Sequence, residues 1–152
     1  MAYTQIIIFK VQNSLLGLDI RDVNEIIKYQ PPAEVPDLPE YWEGMINLRN
    51  HLIAVINLSK RLKLNSNMEN EHTNIIVAKL SSGQMIGLMV DEVVGIYNAE
   101  EEEIEEVPQY LQKKSSHCFK NVLKNDKKLV IVLNHVNLLS EKEQEAISKI
   151  VA

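Results

Sequence analysis

Four histidines, one cysteine and a run of glutamates are the groups in this 152-residue chain with the chemistry for catalysis or metal binding. Their spacing argues against both. His51, His72, His117 and His135 lack the short intervals by which zinc ligands are set on one turn or hairpin. The adjacent pair His117-Cys118 invites a nucleophile or zinc assignment, but neighbouring side chains on a strand point to opposite faces; a buried thiol beside a polar histidine is the alternative. Between Glu100 and Glu106 only Ile104 interrupts six glutamates. Such a run either binds a cation or a basic partner, or forms a solvated linker or the acidic first turn of a helix, and the latter is expected. Asp91 is a lone carboxylate without the second group that acid–base chemistry normally uses, so it reads as structural. Gly83 and Gly87 belong to no phosphate-binding loop, and Asn57-Leu58-Ser59 matches a glycosylation acceptor that matters only in a secreted protein. No catalytic residue, cofactor or metal is expected.

The other chemically suggestive group is a cation. Gly44-Met45-Ile46-Asn47-Leu48 and Leu52-Ile53-Ala54-Val55-Ile56-Asn57-Leu58 flank Arg49-Asn50-His51, the pattern of a β-hairpin, and Asn50 tolerates the left-handed backbone of a tight turn. Arg49 at such a tip is either one more solvated charge or a partner-binding anchor, a role for which a planar donor fork on an apolar stem is suited.

The elements that must hold these groups follow from composition and pattern. The chain is 45% hydrophobic and 24% charged, as in a single globular domain that needs no disulfide or metal. A net charge of −5 with scattered basic residues disfavours nucleic acid and anionic membranes. No apolar run is long enough to span a bilayer, the N-terminus lacks a signal-peptide pattern, and the single Cys118 suits a reducing compartment; a cytoplasmic location is expected.

A repeat runs through the sequence. Thr4-Gln5-Ile6-Ile7-Ile8 matches Thr73-Asn74-Ile75-Ile76-Val77 at an offset of 69 (Thr4 to Thr73), and Gly17-Leu18 through Ile26 matches Gly87-Leu88 through Ile96 at 70 (Gly17 to Gly87). A second hairpin, Phe119 to Asn134 with a turn signal at Asn125-Asp126, answers the first. Strands are predicted near 4–11, 15–20, 23–29, 44–49 and 52–57, and again near 74–80, 84–90, 92–98, 117–124 and 128–134. Many short strands in two copies predict a mainly β protein of two small barrels, a first region at 1–70 and a second at 71–140. Pro31, Pro32, Pro36 and Pro39 fix an extended connection. Residues 65–72 are expected to form an exposed loop. A C-terminal helix is expected over 141–151, behind Ser140 as cap with Glu143 at the third helical position.

Val23-Asn24-Glu25-Ile26-Ile27 and its echo Val93-Val94-Gly95-Ile96 present two alternatives. Either one face is core and the other lines a groove for an amphipathic helix, or both faces are buried between subdomains.

Taken in order, Gly17-Leu18-Asp19-Ile20, Val23-Asn24-Glu25-Ile26, Val35-Pro36-Asp37-Leu38-Pro39-Glu40-Tyr41, Gly44 to Arg49, Val55 to Leu58 and Gly87 to Val93 resemble the CheW family of bacterial chemotaxis coupling proteins, over nearly the whole chain. The resemblance implies one domain, 1–152, of two intertwined five-stranded SH3-like barrels with short helices. It implies a non-enzymatic adaptor that is monomeric in isolation and is recruited to membrane-associated arrays. There it would link the cytoplasmic tips of methyl-accepting chemoreceptors to the regulatory domain of the histidine kinase CheA. By position, Val23, Glu25, Ile26, Val93 and Ile96 are implied to face the receptor. Arg49, with Asn50, stands at the coupling interface, and Pro32 and Val35 at the kinase contact. Asn50 replaces a common Gly, Ala54 and Asn57 replace a common Pro and Asp, and Asn121 and Asn134 replace a common Gly and Asp. The rival readings are a small-barrel interaction module of another two-component pathway and an enzyme built on His117-Cys118.

Overall fold

Two β-sheets with strands drawn from both halves of the sequence make up the body of the computed structural model, which describes residues 3–64, 72–80, 82–108, 118–125, 128–139 and 142–145. The strands are β1 (Tyr3–Val11), β2 (Ser14–Asp19), β3 (Val23–Lys28), β4 (Trp42–Leu48), β5 (His51–Asn57), β6 (Asn74–Lys79), β7 (Met85–Val90), β8 (Glu92–Glu100), β9 (Ile104–Glu106), β10 (Phe119–Asn125) and β11 (Lys128–Leu133). A one-turn helix α1 (Leu58–Arg61) and short 3-10 turns join them. One sheet has the order β8-β1-β2-β11-β10-β9 and the other β3-β6-β7-β5-β4.

The sequence repeat reappears in this topology. Exchanging β1 for β6, β2 for β7, β8 for β3, β11 for β5 and β10 for β4 converts the first order into the second, β9 aside. Each barrel thus borrows its first strands from the other half, which makes the two inseparable. The glycines shared by the copies show why they recur. A Cβ on Gly17 would lie 2.6 Å from Ile6 Cγ2, and one on Gly87 would lie 2.8 Å from Ile75 Cγ2. Ile6 and Ile75 are themselves repeat partners, so each barrel packs an isoleucine of its first strand onto a bare backbone in its second.

Both sheets close by one device. The chain leaving β3 returns at Ala33, which exchanges backbone hydrogen bonds with Met45 of β4 (2.7 and 3.0 Å). The chain leaving β8 passes a 3-10 turn at Glu101–Glu103 and returns as β9, where Glu105 pairs with Val122 of β10. β9 is thus a short sixth strand in the glutamate block, where a linker or helix turn was expected. Its register is set locally: the Glu103 carboxylate accepts from the Glu100 amide (2.9 Å) and from the Tyr97 hydroxyl.

Gly44 makes the first closure possible. Its φ is +133°, and a Cβ there would lie 2.0 Å from the Ala33 carbonyl oxygen. Trp42 and Gly44 flank a bulge, as Phe119 and Asn121 do in β10. Asn121 has no positive φ, so the second bulge has no need of the glycine common there.

The larger core runs through both sheets, with Phe9, Leu18, Ile56, Ile76, Leu88 and Leu133 buried; a smaller cluster holds Ile6, Ala99, Leu123, Val130 and Val132. Arg61 joins the ends of the two copies: its Nε donates to the Leu138 carbonyl (2.6 Å) while its guanidinium lies over the Tyr41 ring. Residues 142–145 are helical, and Gln144 Nε2 donates to the Val136 and Leu139 carbonyls. The rest of the expected C-terminal helix, most of the 65–72 loop and His117 lie outside the described residues. No helix among them is long and apolar enough to cross a membrane.

Candidate functional site

The β4–β5 hairpin ends in a two-residue loop: Leu48 pairs with His51, and Arg49 and Asn50 have φ of 50° and 67°. Two consecutive left-handed residues make a type I′ turn, whose twist matches that of the strands. Asn is the side chain that enters this region most readily after Gly, so Asn50 fits where the resemblance implies a common Gly. His51 already belongs to the strand.

The turn projects Arg49 back across the sheet to β3. Its Nη1 donates to Glu25 Oε1 and its Nη2 meets Glu25 Oε2, both at 2.8 Å. Arg49 is 72% exposed and Glu25 19%. The outer face of the guanidinium therefore stays open to solvent while its fork is held by a carboxylate.

The residues implied to face the receptor, Val23, Glu25, Ile26, Val93 and Ile96, differ in exposure. Along β3 exposure alternates, with Asn24, Ile26 and Lys28 outward and Val23, Glu25 and Ile27 half-buried. Along β8, Val94 and Ile96 are outward at 54% and 58% exposure, while Val93 is half-buried. Val23 and Val93 pack on the core. Both strands carry a bulge, at Asn24 in β3 and at Val94 in β8, yet exposed and half-buried residues alternate along each from there on. The outward apolar group is Ile26, Val94 and Ile96. Val94 was missed, although its i, i+2 spacing to Ile96 was the available signal.

Pro32 and Val35 lie half-buried in the connection between β3 and β4. Val35 borders an open pocket of about 340 Å³ with Glu34, Asp37, Leu38, Glu40 and Trp42. Asn57, standing where the resemblance implies a common Asp, is buried: its Oδ1 caps α1 by accepting from the Lys60 amide, and its Nδ2 donates to Glu43 Oε1 at 2.8 Å. A carboxylate at 57 would face Glu43 directly; the amide turns that contact into a hydrogen bond.

The groups weighed for catalysis have structural settings. Asp91 Oδ2 accepts from the Gln12 amide (2.6 Å) at the β1–β2 turn, where Gln12 has a φ of 56°. Cys118 is fully buried. His135 is buried with its Nε2 against the Lys79 carbonyl. Among the described residues no three His, Cys, Asp or Glu side chains are placed to hold a metal. The two carboxylates with clearly displaced pKa are also structural. Arg21, bonded to the buried Asp19 side chain at 3.1 and 2.7 Å, holds that carboxyl below its usual range, and the Tyr97 hydroxyl does so for Glu103.

With this geometry established, the comparisons are decisive: the description "CheW-like domain" matches residues 5–143. The chain belongs to the CheW-like family. "Chemotaxis protein CheW" of Bacillus subtilis is 30% identical over 139 residues, covering 91% of this chain and 88% of that protein. The protein of the same name from Treponema pallidum is 28% identical over 149 residues, covering 96% and 88%. Among solved structures, that of the scaffolding protein TtCheW from Thermoanaerobacter tengcongensis superposes with a TM-score of 0.79 at 32% identity, over 88% of this chain and 90% of that one. The two intertwined barrels are thus the CheW-like architecture, and the function is that of a chemotaxis coupling and scaffold protein.

Proposed function

We propose that this protein is a non-enzymatic adaptor that couples the cytoplasmic tips of chemoreceptors to the regulatory domain of the histidine kinase CheA. It would act in the cytoplasm, recruited to membrane-associated receptor arrays. The observation that carries this reading is the outward apolar group of Ile26, Val94 and Ile96, with exposures of 37%, 54% and 58%, on the two repeat-related strands β3 and β8. These side chains stand out from the faces of the two strands, where the apolar side of an amphipathic helix can pack. The amphipathic helices of a receptor tip offer the matching aliphatic stripe. Arg49 stands beside this surface on the hairpin tip, with the open side of its guanidinium available to a partner's carboxylate or carbonyl. Pro32 and Val35 are the proposed kinase-side contacts, on a separate part of the same barrel.

In this mechanism no substrate is transformed. Receptor state changes how the kinase is held, and the adaptor transmits the bias through two moderate interfaces. Replacing a central anchor should cost about 2 kcal/mol, roughly thirtyfold in affinity. The test is co-sedimentation of the full chain with a receptor signalling fragment and the cognate CheA. Ile96→Asp should lose receptor binding and keep kinase binding; undiminished sedimentation with the receptor fragment would refute the assignment.

A further inference from the structure

We infer that Asn74 is a positioning residue for the receptor-facing surface, its side-chain amide setting the distance between the two apolar edge strands; this rests on the receptor-binding role proposed above. Asn74 opens β6, in the sheet that ends at β3. Its Oδ1 accepts from the Val93 amide of β8 at 3.0 Å, across to the other sheet, and its Nδ2 donates to the Ile27 carbonyl of β3 through a longer contact of 3.5 Å. One carboxamide thereby spans the edge strands of both sheets. Among the described residues β8 is hydrogen-bonded as a strand to β1 alone, and the Asn74 side chain ties its other side.

Each tie point is next to an exposed aliphatic side chain: Ile26 precedes Ile27, and Val94 follows Val93. A helix that packs on Ile26 and Val94 together requires a fixed separation between them, and Asn74 is the group that bridges it. The repeat partner of Asn74 is Gln5, whose Nε2 reaches instead the Asn98 side chain at 3.1 Å, across the existing β1–β8 pair. The tie between sheets is therefore made by the second-copy residue, where Ile26 and Val94 approach it.

The test compares Asn74→Ala, Asn74→Asp, Ile96→Asp and wild type in the full chain. The readouts are affinity for a receptor signalling fragment, affinity for the cognate CheA regulatory domain, and amide exchange at Val93. Asn74→Ala should weaken receptor binding about threefold to tenfold, the range of one or two lost hydrogen bonds. It should leave the kinase affinity unchanged and speed exchange at Val93. Asn74→Asp keeps the acceptor for Val93 but loses the donor to Ile27, so it should protect the Val93 amide while receptor binding stays weakened. Faster Val93 exchange with unaltered receptor affinity would overturn the inference, as would equal losses for receptor and kinase, which would indicate general loosening. If Ile96→Asp also binds receptor normally, the failure belongs to the proposed receptor surface; if Ile96→Asp alone loses binding, it belongs to Asn74.

Discussion

The Arg49 guanidinium grips the Glu25 carboxylate with both terminal nitrogens at 2.8 Å, fastening the tip of the β4–β5 hairpin to edge strand β3. β3 and β4 are the two ends of their sheet, so the pair spans the open side of the barrel above the Ala33–Met45 closure. It fixes where the charge at the tip points, and leaves the barrel's cohesion to the core.

That division of labour is measurable. An ion pair with an arginine 72% exposed should contribute at most about 1 kcal/mol to stability. A double-mutant cycle of Arg49→Ala and Glu25→Ala, read by denaturant unfolding, should give a coupling energy in that range. Arg49→Glu should still fold, yet lose kinase control in a reconstituted receptor array. Normal receptor-regulated phosphorylation by that variant would remove Arg49 from the coupling interface.

The glycines of the barrel walls give a graded series. Gly17→Ala and Gly87→Ala each force a methyl against an isoleucine at 2.6 and 2.8 Å, and should cost about 1–3 kcal/mol by overpacking. Gly44→Ala meets a backbone oxygen at 2.0 Å and a φ of +133°. Neither can yield without breaking the Ala33–Met45 closure, so it should cost more than either of the others. Removing the clashing methyl should lessen the penalty only at the wall positions: Gly17→Ala should cost less in an Ile6→Ala background, which lacks Cγ2, than in the wild type, and no side-chain change at Ala33 should rescue Gly44→Ala. Equal losses at all three sites would contradict this ordering.

How much of this could be read from the residues alone depends on range. The hairpins, the repeat and the order of strands follow from local pattern, because β-branched runs and turn residues act within a few positions. Strand exchange between barrels is not local: nothing in Thr4–Val11 announces that β1, besides pairing with β2, pairs with β8 of the other copy. In the glutamate block the 3-10 turn at Glu101–Glu103 agrees with the acidic turn expected there, whereas β9 was not legible, for a related reason. Glu105 and Glu106 have little strand propensity, and β9 forms where β10 offers an edge and the Tyr97–Glu103 contact delivers the chain to it. The apolar surface was half visible. Alternation was present in the sequence, but positions carried over from the family mixed inward Val23 and Val93 with outward Ile26 and Ile96.

Asp19 predicts an acid limit to stability. Its carboxylate is buried and accepts from the Arg21 amide and guanidinium, which hold its pKa below the usual value. A carboxyl with a depressed folded pKa stabilises fully above its unfolded value, near 3.9, and loses that contribution as pH falls through the folded value. The stability difference between wild type and Asp19→Asn should therefore be constant from neutral pH down to about 5 and shrink below about 4. A difference that is already falling between pH 7 and 5 would assign the effect to another group.

Parity along β8 separates packing from docking in two adjacent residues. Val94 points outward at 54% exposure, whereas Val93 packs on the core and gives its amide to Asn74. Val94→Asp should change stability by no more than about 0.5 kcal/mol, as surface substitutions do, while weakening receptor-fragment binding by tenfold or more. Val93→Asp buries a charge without a partner and should cost at least about 2 kcal/mol of stability. Any loss of receptor binding in that variant should scale with the fraction unfolded. Measuring both variants by thermal melting and by co-sedimentation at a temperature where each remains folded distinguishes the two roles. A receptor defect confined to folded Val93→Asp, with Val94→Asp binding normally, would show that the inward side of β8 carries the contact and that the outward group of Ile26, Val94 and Ile96 does not.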